Sequence, residues 1–336
     1  MEEGRHRVGA MARVPEVLRE FGVDPVELLR SIRLPPDVLD DPENPLTFPQ
    51  VGRLMTACVA ATGCEHFGHL FASRCDTTSL ALVGALMRNA PTVGDAIMDL
   101  CTNHHRYIRG AVTYLAVQGD AAFWGYAVSY PGVPGLEQLC EGAIAVGFNM
   151  LRELAKRGVD EVLSARAAVA DPLPYRRHFG VTPRWDAEQH ALVFPAAMLA
   201  WPVIGAEPAL RRELEARVKE YWATRQPTVA EQAMRQLRAR IVLGDASRES
   251  VAAHMGLSTR SLNRRLQEEG TSFRQLIDRA RFHVAQQLLL GTRMSITSVA
   301  LSIGYAETSA FNHAFQRWSG EPPRQWRRRA LQAPAT

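Results

Sequence analysis

From Gln226 to the C-terminus the sequence contains no lysine: its basic charge is 16 arginines, set against 8 acidic residues. No run of about twenty apolar residues occurs anywhere, so nothing in it reads as a membrane-spanning helix. Cysteine is scarce and confined to the front, at Cys58, Cys64, Cys75, Cys101 and Cys140. An odd number without paired spacing argues against a disulfide framework and for reduced thiols in a cytoplasm. The opening MEEGRHRVGAMARVPEV holds acidic residues and no apolar core, so it does not read as a secretory signal. No Ser-His-Asp or paired-carboxylate arrangement is visible, and no cofactor motif. The expectation is therefore a non-enzyme with no cofactor and no metal.

What the sequence does contain is a repeat. Ser250-Val251-Ala252 recurs as Ser298-Val299-Ala300, Gly256 as Gly304, Leu262 as Phe311, Leu266 as Phe315, Gly270 as Gly320 and Gln275 as Gln325. One supersecondary unit is used twice. Each copy reads as a short helix, a turn at Gly256 or Gly304 and a second helix, with Ser258 as the N-cap in the first copy. Leu262 and Leu266, or Phe311 and Phe315, sit four residues apart on an inward face. The opposite face carries Thr259, Arg260, Asn263 and Arg264, or Thr308, Ser309, Asn312 and His313. This is a helix-turn-helix pattern. A plain bundle with solvated faces explains one such pattern, but two in register are hard to reach by chance. The joining helix, Phe273 to Leu290, spans roughly 25 Å. That suffices to hold two reading helices about one DNA turn, ~34 Å, apart.

Charge agrees with this reading. The balance from Gln226 onward is +8 while the whole chain is +4, so a basic module is attached to a mildly acidic one. A polyanion partner is expected for the former only. Arginine's planar fork suits guanine edges and phosphates.

The stretch SVAxxxGxSxRxLxRRLxxxGxSFxxL, followed by IxxVAxxxGYxExSAFxxAFxRWxGxxPxxWR, resembles the DNA-binding domain of AraC/XylS-type bacterial transcription regulators. The resemblance implies a first helix-turn-helix at Val251–Gly256 and Leu257–Glu268 and a second at Ile296–Gly304 and Glu307–Trp318. It places Arg260, Asn263 and Arg264, then Thr308, Ser309, Asn312 and His313, toward bases. Thr259 shares the outer face of the first reading helix. Arginine suits guanine, asparagine adenine, and short hydroxyls either base or phosphate. His313 stands where the family often has arginine, so its contact is weaker or pH-sensitive. Arg265, Arg317 and Arg324 are placed for phosphate.

The length suggests two domains: an effector-binding and dimerisation domain at 1–205, a helical linker at 206–228 and the DNA-binding domain at 229–332. The first reads as α+β, helices followed by an antiparallel or mixed sheet; the last is all-α. Helices are expected over 13–34 (two, with Asp24 capping Pro25), Phe48–Thr62, Phe67–Ser73, 79–90, from Pro91 to about Ile108, 135–157 and Tyr175–Phe179. Strands are expected at Val112–Val117 and Phe123–Tyr130 with a hairpin between, then Leu163–Ala170, Thr182–Trp185 and Ala191–Phe194. The phrases LTFPQVGRLMTACVAATG, LVGALMRNAPTVGDAIMDL and DPLPYRRHFGVTPRW resemble the arabinose-binding-like N-terminal domain of one AraC subgroup. The helical front half does not resemble a cupin barrel. The linker, with Leu210, Leu214 and Val218 at helical spacing, reads as solvated or dimer-facing.

His104 and Arg109 mark a polar cluster ahead of the first hairpin strand. They are candidates, with Tyr126 and Arg176, for contact with an effector; the plain alternative is a solvated helix end and core aromatics. Cys64, His66, His69 and Cys75 fit no zinc spacing, and surface histidine with half-buried cysteine is the expectation there. The combined reading is a DNA-binding regulator, an activator by the family's commoner outcome, controlled by a small molecule. It would act as a homodimer on double-stranded DNA, with RNA polymerase as a further contact, in the cytoplasm at the bacterial nucleoid. The alternatives are an effector-independent regulator, or an enzyme fused to the DNA module. A methyl-acceptor fusion needs a Pro-Cys-His-Arg motif that no cysteine here supplies.

Overall fold

The computed structural model describes residues 5–130, 132–221, 228–241 and 245–332. The chain opens with strand β1 (Arg5–Arg7) and a 3-10 turn (Gly9–Arg13), then α1 (Val14–Glu20) and α2 (Pro25–Ser31). The Asp24 side chain caps α2 by accepting from the Val26 amide, with Pro25 in the first turn. β2 (Pro45–Thr47) leads into α3 (Phe48–Thr62), which Thr47 and Gln50 open as a reciprocal capping box. Val51, Leu54, Met55 and Cys58 of α3 are buried. α4 (Phe67–Ala72), α5 (Ala81–Arg88) and α6 (Val93–Tyr107) follow, the last capped by Thr92.

Three short segments far apart in sequence, β1, β2 and β3 (Ile108–Arg109), form one small sheet in the order β2-β1-β3. This sheet was not expected, and it puts strands ahead of the helices. The main sheet is antiparallel. Its order is β4-β5-β7-β6, from β4 (Ala111–Gln118), β5 (Ala121–Val128), β6 (Glu161–Leu163) and β7 (His190–Pro195). α7 (Leu136–Ala155) packs against β5 and β7 of this sheet. α8 (Leu173–Phe179) closes the end beside α7.

Two strand expectations are corrected. The strand read over Leu163–Ala170 stops at Leu163, where Ser164 donates to the Arg184 carbonyl and Arg166 turns in to reach Glu141. Thr182–Trp185 does not pair with Ala191–Phe194. It contributes one bridge, Leu163 to Arg184, while β7 pairs with β5 and β6. The linker reading also changes. α9 (Pro208–Tyr221) lies against α5, with Leu214 and Val218 buried beside Leu86, so that part of its apolar stripe is covered within the chain while Leu210 stays exposed. Arg211 ties α9 to Asp99 of α6. Residues 222–227 of the expected linker lie outside the described residues.

The C-terminal part is all helix: α10 (Val229–Ile241), α11 (Arg248–His254), α12 (Thr259–Glu268), α13 (Phe273–Gly291), α14 (Ile296–Ser302), α15 (Thr308–Ser319) and α16 (Pro323–Gln332). Serines open most of them. Ser247, Ser258, Ser272 and Ser295 each accept from a backbone amide three residues on, satisfying a donor that the helix start leaves free. The turns α11–α12 and α14–α15 pass through Gly256 and Gly304 at φ +65 and +84, values that favour glycine. Among the described residues no helix is long and apolar enough to cross a membrane.

Candidate nucleic-acid interface and ligand cavity

The two turn-linked pairs, α11–α12 and α14–α15, are built around the repeat. Val251, Ala252, Leu262 and Leu266 fill the first, and Val299, Ala300, Phe311 and Phe315 the second, each no more than 1% exposed. Both belong to one core with α13, whose Leu276, Ala280, Val284 and Leu288 are also buried. α13 has 19 residues, a length of about 28 Å. Arg327 fixes the second unit to the end of α13, donating to the Leu289 and Met294 carbonyls at 2.9 and 2.7 Å.

The outer face of α12 exposes Arg260, Arg264 and Arg265, with Thr259 and Asn263 half-buried beside them. Arg264 has only a 3.8 Å contact with Glu268, both side chains well exposed, so it can turn toward a ligand. On α15, Ser309, Asn312, His313 and Arg317 are exposed. Thr308 is half-buried and donates to the Thr297 hydroxyl at 3.1 Å, which ties α15 to α14. Arg317 lies 3.3 Å from Asp278, and Arg324 is exposed on α16.

Several acids of this domain are used internally. Glu269 accepts from the first amides of α10, Asp245 pairs with buried Arg240, and Glu321 pairs with Arg329. The exposed arginines of α12 therefore face outward with little acid among them, an electrostatic footprint suited to phosphate.

A second feature lies in the N-terminal domain. A cavity of about 360 Å³ opens between α7, the β4–β5 sheet, α6 and the segment from His6 to Arg13. Its walls are largely hydrocarbon: Leu100, Trp124, Leu139, Ile144, Met150 and Leu192. His104 and Tyr126 both line it, their rings 5.7 Å apart and edge-on. Tyr126 is 6% exposed, and its hydroxyl has no hydrogen-bond partner among the described residues. Burial holds that phenol well above its usual range, so it remains an O–H donor. Thr113 also faces the cavity, but it accepts from Trp124 Nε1 at 3.0 Å and donates to the Gly125 carbonyl at 3.3 Å. His6 is held near neutral form by burial, its pKa lowered to about 4.

Arg109 and Arg176 were expected with His104 and Tyr126, but the structure separates them. Arg109 is exposed on the small sheet and Arg176 is exposed on α8, and neither lines the cavity. Beside Arg176, Tyr175 serves packing: its hydroxyl donates to Glu141 at 2.9 Å, within a buried pair with Arg166. Burial raises the Glu141 carboxyl to about 7 despite that arginine. His69 is buried among aromatic rings and Cys64 and Cys75 are buried, contrary to the surface histidine and half-buried cysteine expected. Trp124 and Thr113 were not singled out as cavity residues. The signal was the alternation along the hairpin, which marks residues 113, 124 and 126 for one face.

The other face of the hairpin meets the DNA-binding domain. Tyr114, Ala116 and Ala127 are buried in the same core as α13 and α10. A Cβ on Gly291 would stand 2.8 Å from the Val128 carbonyl and 2.9 Å from the Ala127 methyl, so α13 approaches β5 at the limit of backbone contact. The Arg293 amide donates to the Glu188 carbonyl at 2.7 Å, just ahead of α14, and the Ser298 hydroxyl lies 3.5 Å from the Glu188 carboxylate. α10 packs on α6, the helix that carries His104.

Two rigidly joined helix-turn-helix units with outward-facing arginines define a DNA-binding protein of the transcription-regulator class. Residues 22–203 match the arabinose-binding domain of AraC transcription regulators, and residues 251–329 match a helix-turn-helix domain family. The chain belongs to the AraC family of transcription regulators. It is 27% identical over 318 residues to the HTH-type transcriptional regulator VirS of Mycobacterium tuberculosis, covering 93% of each chain. It is 27% identical over 321 residues to the ornithine utilization regulator of Pseudomonas aeruginosa, again over 93% of each. The crystal structure of the transcriptional regulator CdpR from Pseudomonas aeruginosa aligns over 95% of this chain and 97% of that one, with a TM-score of 0.46 and 20% identity.

Proposed function

We propose that the chain is a ligand-responsive activator. A small molecule in the N-terminal cavity sets how the DNA-binding domain docks on the sheet. The observation that carries this reading is that β4 and β5 serve both sides at once. Thr113, Trp124 and Tyr126 line the cavity, while Tyr114, Ala116 and Ala127 pack with α13 and α10. A ligand that repositions Trp124 or Tyr126 moves the same strands on which α13 rests. It can shift the docking equilibrium by no more than its difference in affinity for the two arrangements. Arg260, Asn263 and Arg264 read the first major-groove segment, and Ser309, Asn312 and His313 the second, with Thr259 and Thr308 at their edges. Arg265, Arg317 and Arg324 hold phosphates. The protein works on double-stranded DNA in the cytoplasm, as a homodimer, with RNA polymerase as a further contact.

The test begins with an operator selected from random duplexes by the full chain. Compounds that raise the thermal stability of the chain are then added to the complex. The proposal expects at least one cavity ligand to change operator affinity, and Gly291→Leu, which crowds α13 off β5, to abolish that change. Ligands that fill the cavity and leave operator affinity untouched would contradict it.

A further inference from the structure

The cavity's chemistry narrows what it can hold, and it does not suit a sugar. A pentose carries about four hydroxyls, and each one buried without a partner costs roughly 1–3 kcal/mol. The walls offer Leu100, Leu139, Ile144, Met150 and Leu192 instead. The polar groups facing inward are few, and Thr113 is already engaged by Trp124 and Gly125. One donor is built in and unused among the described residues: the Tyr126 hydroxyl, on a side chain more than nine-tenths buried.

Charge narrows the choice further. The arginines that line the cavity are Arg7 and Arg13. Arg7 is already paired with Glu43, and Arg13, 57% exposed, lies 3.3 Å from Glu16. An anionic head seated at Tyr126 would meet the edge-on His104 ring and otherwise hydrocarbon, and a buried charge without a full counter-charge is strongly disfavoured. An uncharged acceptor meets the phenol without that cost. Size gives the last limit. At roughly 30 Å³ for a water-sized group, a cavity of about 360 Å³ holds about a dozen non-hydrogen atoms.

We propose that the cavity takes an uncharged, largely hydrocarbon molecule of about this size, with one carbonyl-type acceptor that receives a hydrogen bond from Tyr126. The proposal rests on reading the cavity as a ligand site, but not on the ligand controlling DNA binding.

The experiment is calorimetric titration of the full chain with three probes: 2-undecanone, decanoate and L-arabinose. The ketone is expected to bind once per chain with a negative heat-capacity change, the mark of apolar burial. Decanoate is expected to bind more weakly and arabinose not at all. Tyr126→Phe, which removes one oxygen and keeps the ring, is expected to weaken the ketone about tenfold, and Ile144→Trp to abolish it by filling the space. Circular dichroism confirms that each variant is folded. No ketone binding, tighter binding of decanoate or arabinose than of the ketone, or ketone binding indifferent to Tyr126→Phe would each overturn the proposal. Operator affinity measured with the saturating ketone separates the two readings. Ketone binding without an effect on DNA removes the regulatory role and keeps the ligand class. Arabinose binding with an effect on DNA does the reverse.

Discussion

In the first helix-turn-helix unit, Leu262 and Leu266 are fully buried behind a face that carries Arg260, Arg264 and Arg265; in the second, Phe311 and Phe315 take the same places behind Ser309, Asn312 and His313. The interiors match because one helical packing has to be made twice. The exteriors differ in charge, the first carrying arginines and the second mainly hydroxyl, amide and imidazole groups. Arginines suit both guanine edges and phosphates, and the phosphate part of their hold is screened by salt; hydroxyl and amide groups discriminate with little charge. The units also differ in their inner neighbour. The amide of Arg293 and the hydroxyl of Ser298, at the start of the second unit, lie against Glu188 of the N-terminal domain. The second unit thus has direct side-chain access to the cavity-bearing domain.

The largest effects are expected from truncating the two interiors. Phe315→Ala is expected to cost about 3–5 kcal/mol and Leu266→Ala about 2–5 kcal/mol. Hydrogen exchange should show protection lost mainly in the unit that was cut. Equal loss in both units would mean that they are not separate packing units.

Acid sharpens a second contrast, between the domains. His6, His178 and His190 have pKa values lowered to about 4, and His69 to about 3, chiefly by burial; the C-terminal domain has one such group, His283, at about 4. These histidines are neutral when folded and gain protons on unfolding below their ordinary value near 6.5. Their contribution is therefore complete above about pH 6.5 and is lost as the pH falls toward 4, at ~1.4 kcal/mol per pH unit for each. Melting curves between pH 7 and 5 should show the N-terminal domain losing stability faster, and His69→Phe should flatten its profile.

On DNA, Arg260→Ala or Arg264→Ala is expected to cost roughly 1–3 kcal/mol and relax base preference. Asn312→Ala should relax preference with the slope unchanged, and Arg324→Ala should weaken all sequences alike and lower the salt slope by about one. Binding isotherms at several salt concentrations decide among these. The smallest effect belongs to Glu188→Ala, under about 1 kcal/mol, read as faster exchange around Ser298 with α12 unaffected.

The reading helices were legible because their constraints are local. Serine caps, glycine turns and four-residue apolar spacing lie within a few positions of each other, and Ser258, Gly256 and Gly304 act as their residue types require. The cavity was half legible. His104 and Tyr126 combine a polar group with a position facing α7, whereas Arg109 and Arg176 are polar but turned away. The small β1-β2-β3 sheet left no trace because strands of two or three residues are too short to show a period. The docking of α13 was hidden for a different reason. Both faces of β4 are apolar, with Val112, Tyr114 and Ala116 alternating with Ala111, Thr113 and Leu115, so the pattern does not say that a second domain covers one of them.

We propose that α13 holds two unlike readers on neighbouring grooves of one duplex. Guanine methylation interference on the selected operator tests it most directly, with the wild-type chain and Arg264→Ala side by side. Two interference windows about 10 base pairs apart on one face of the DNA are expected, of which Arg264→Ala weakens only the one under α12. A single window, or two windows that fade together, would contradict it.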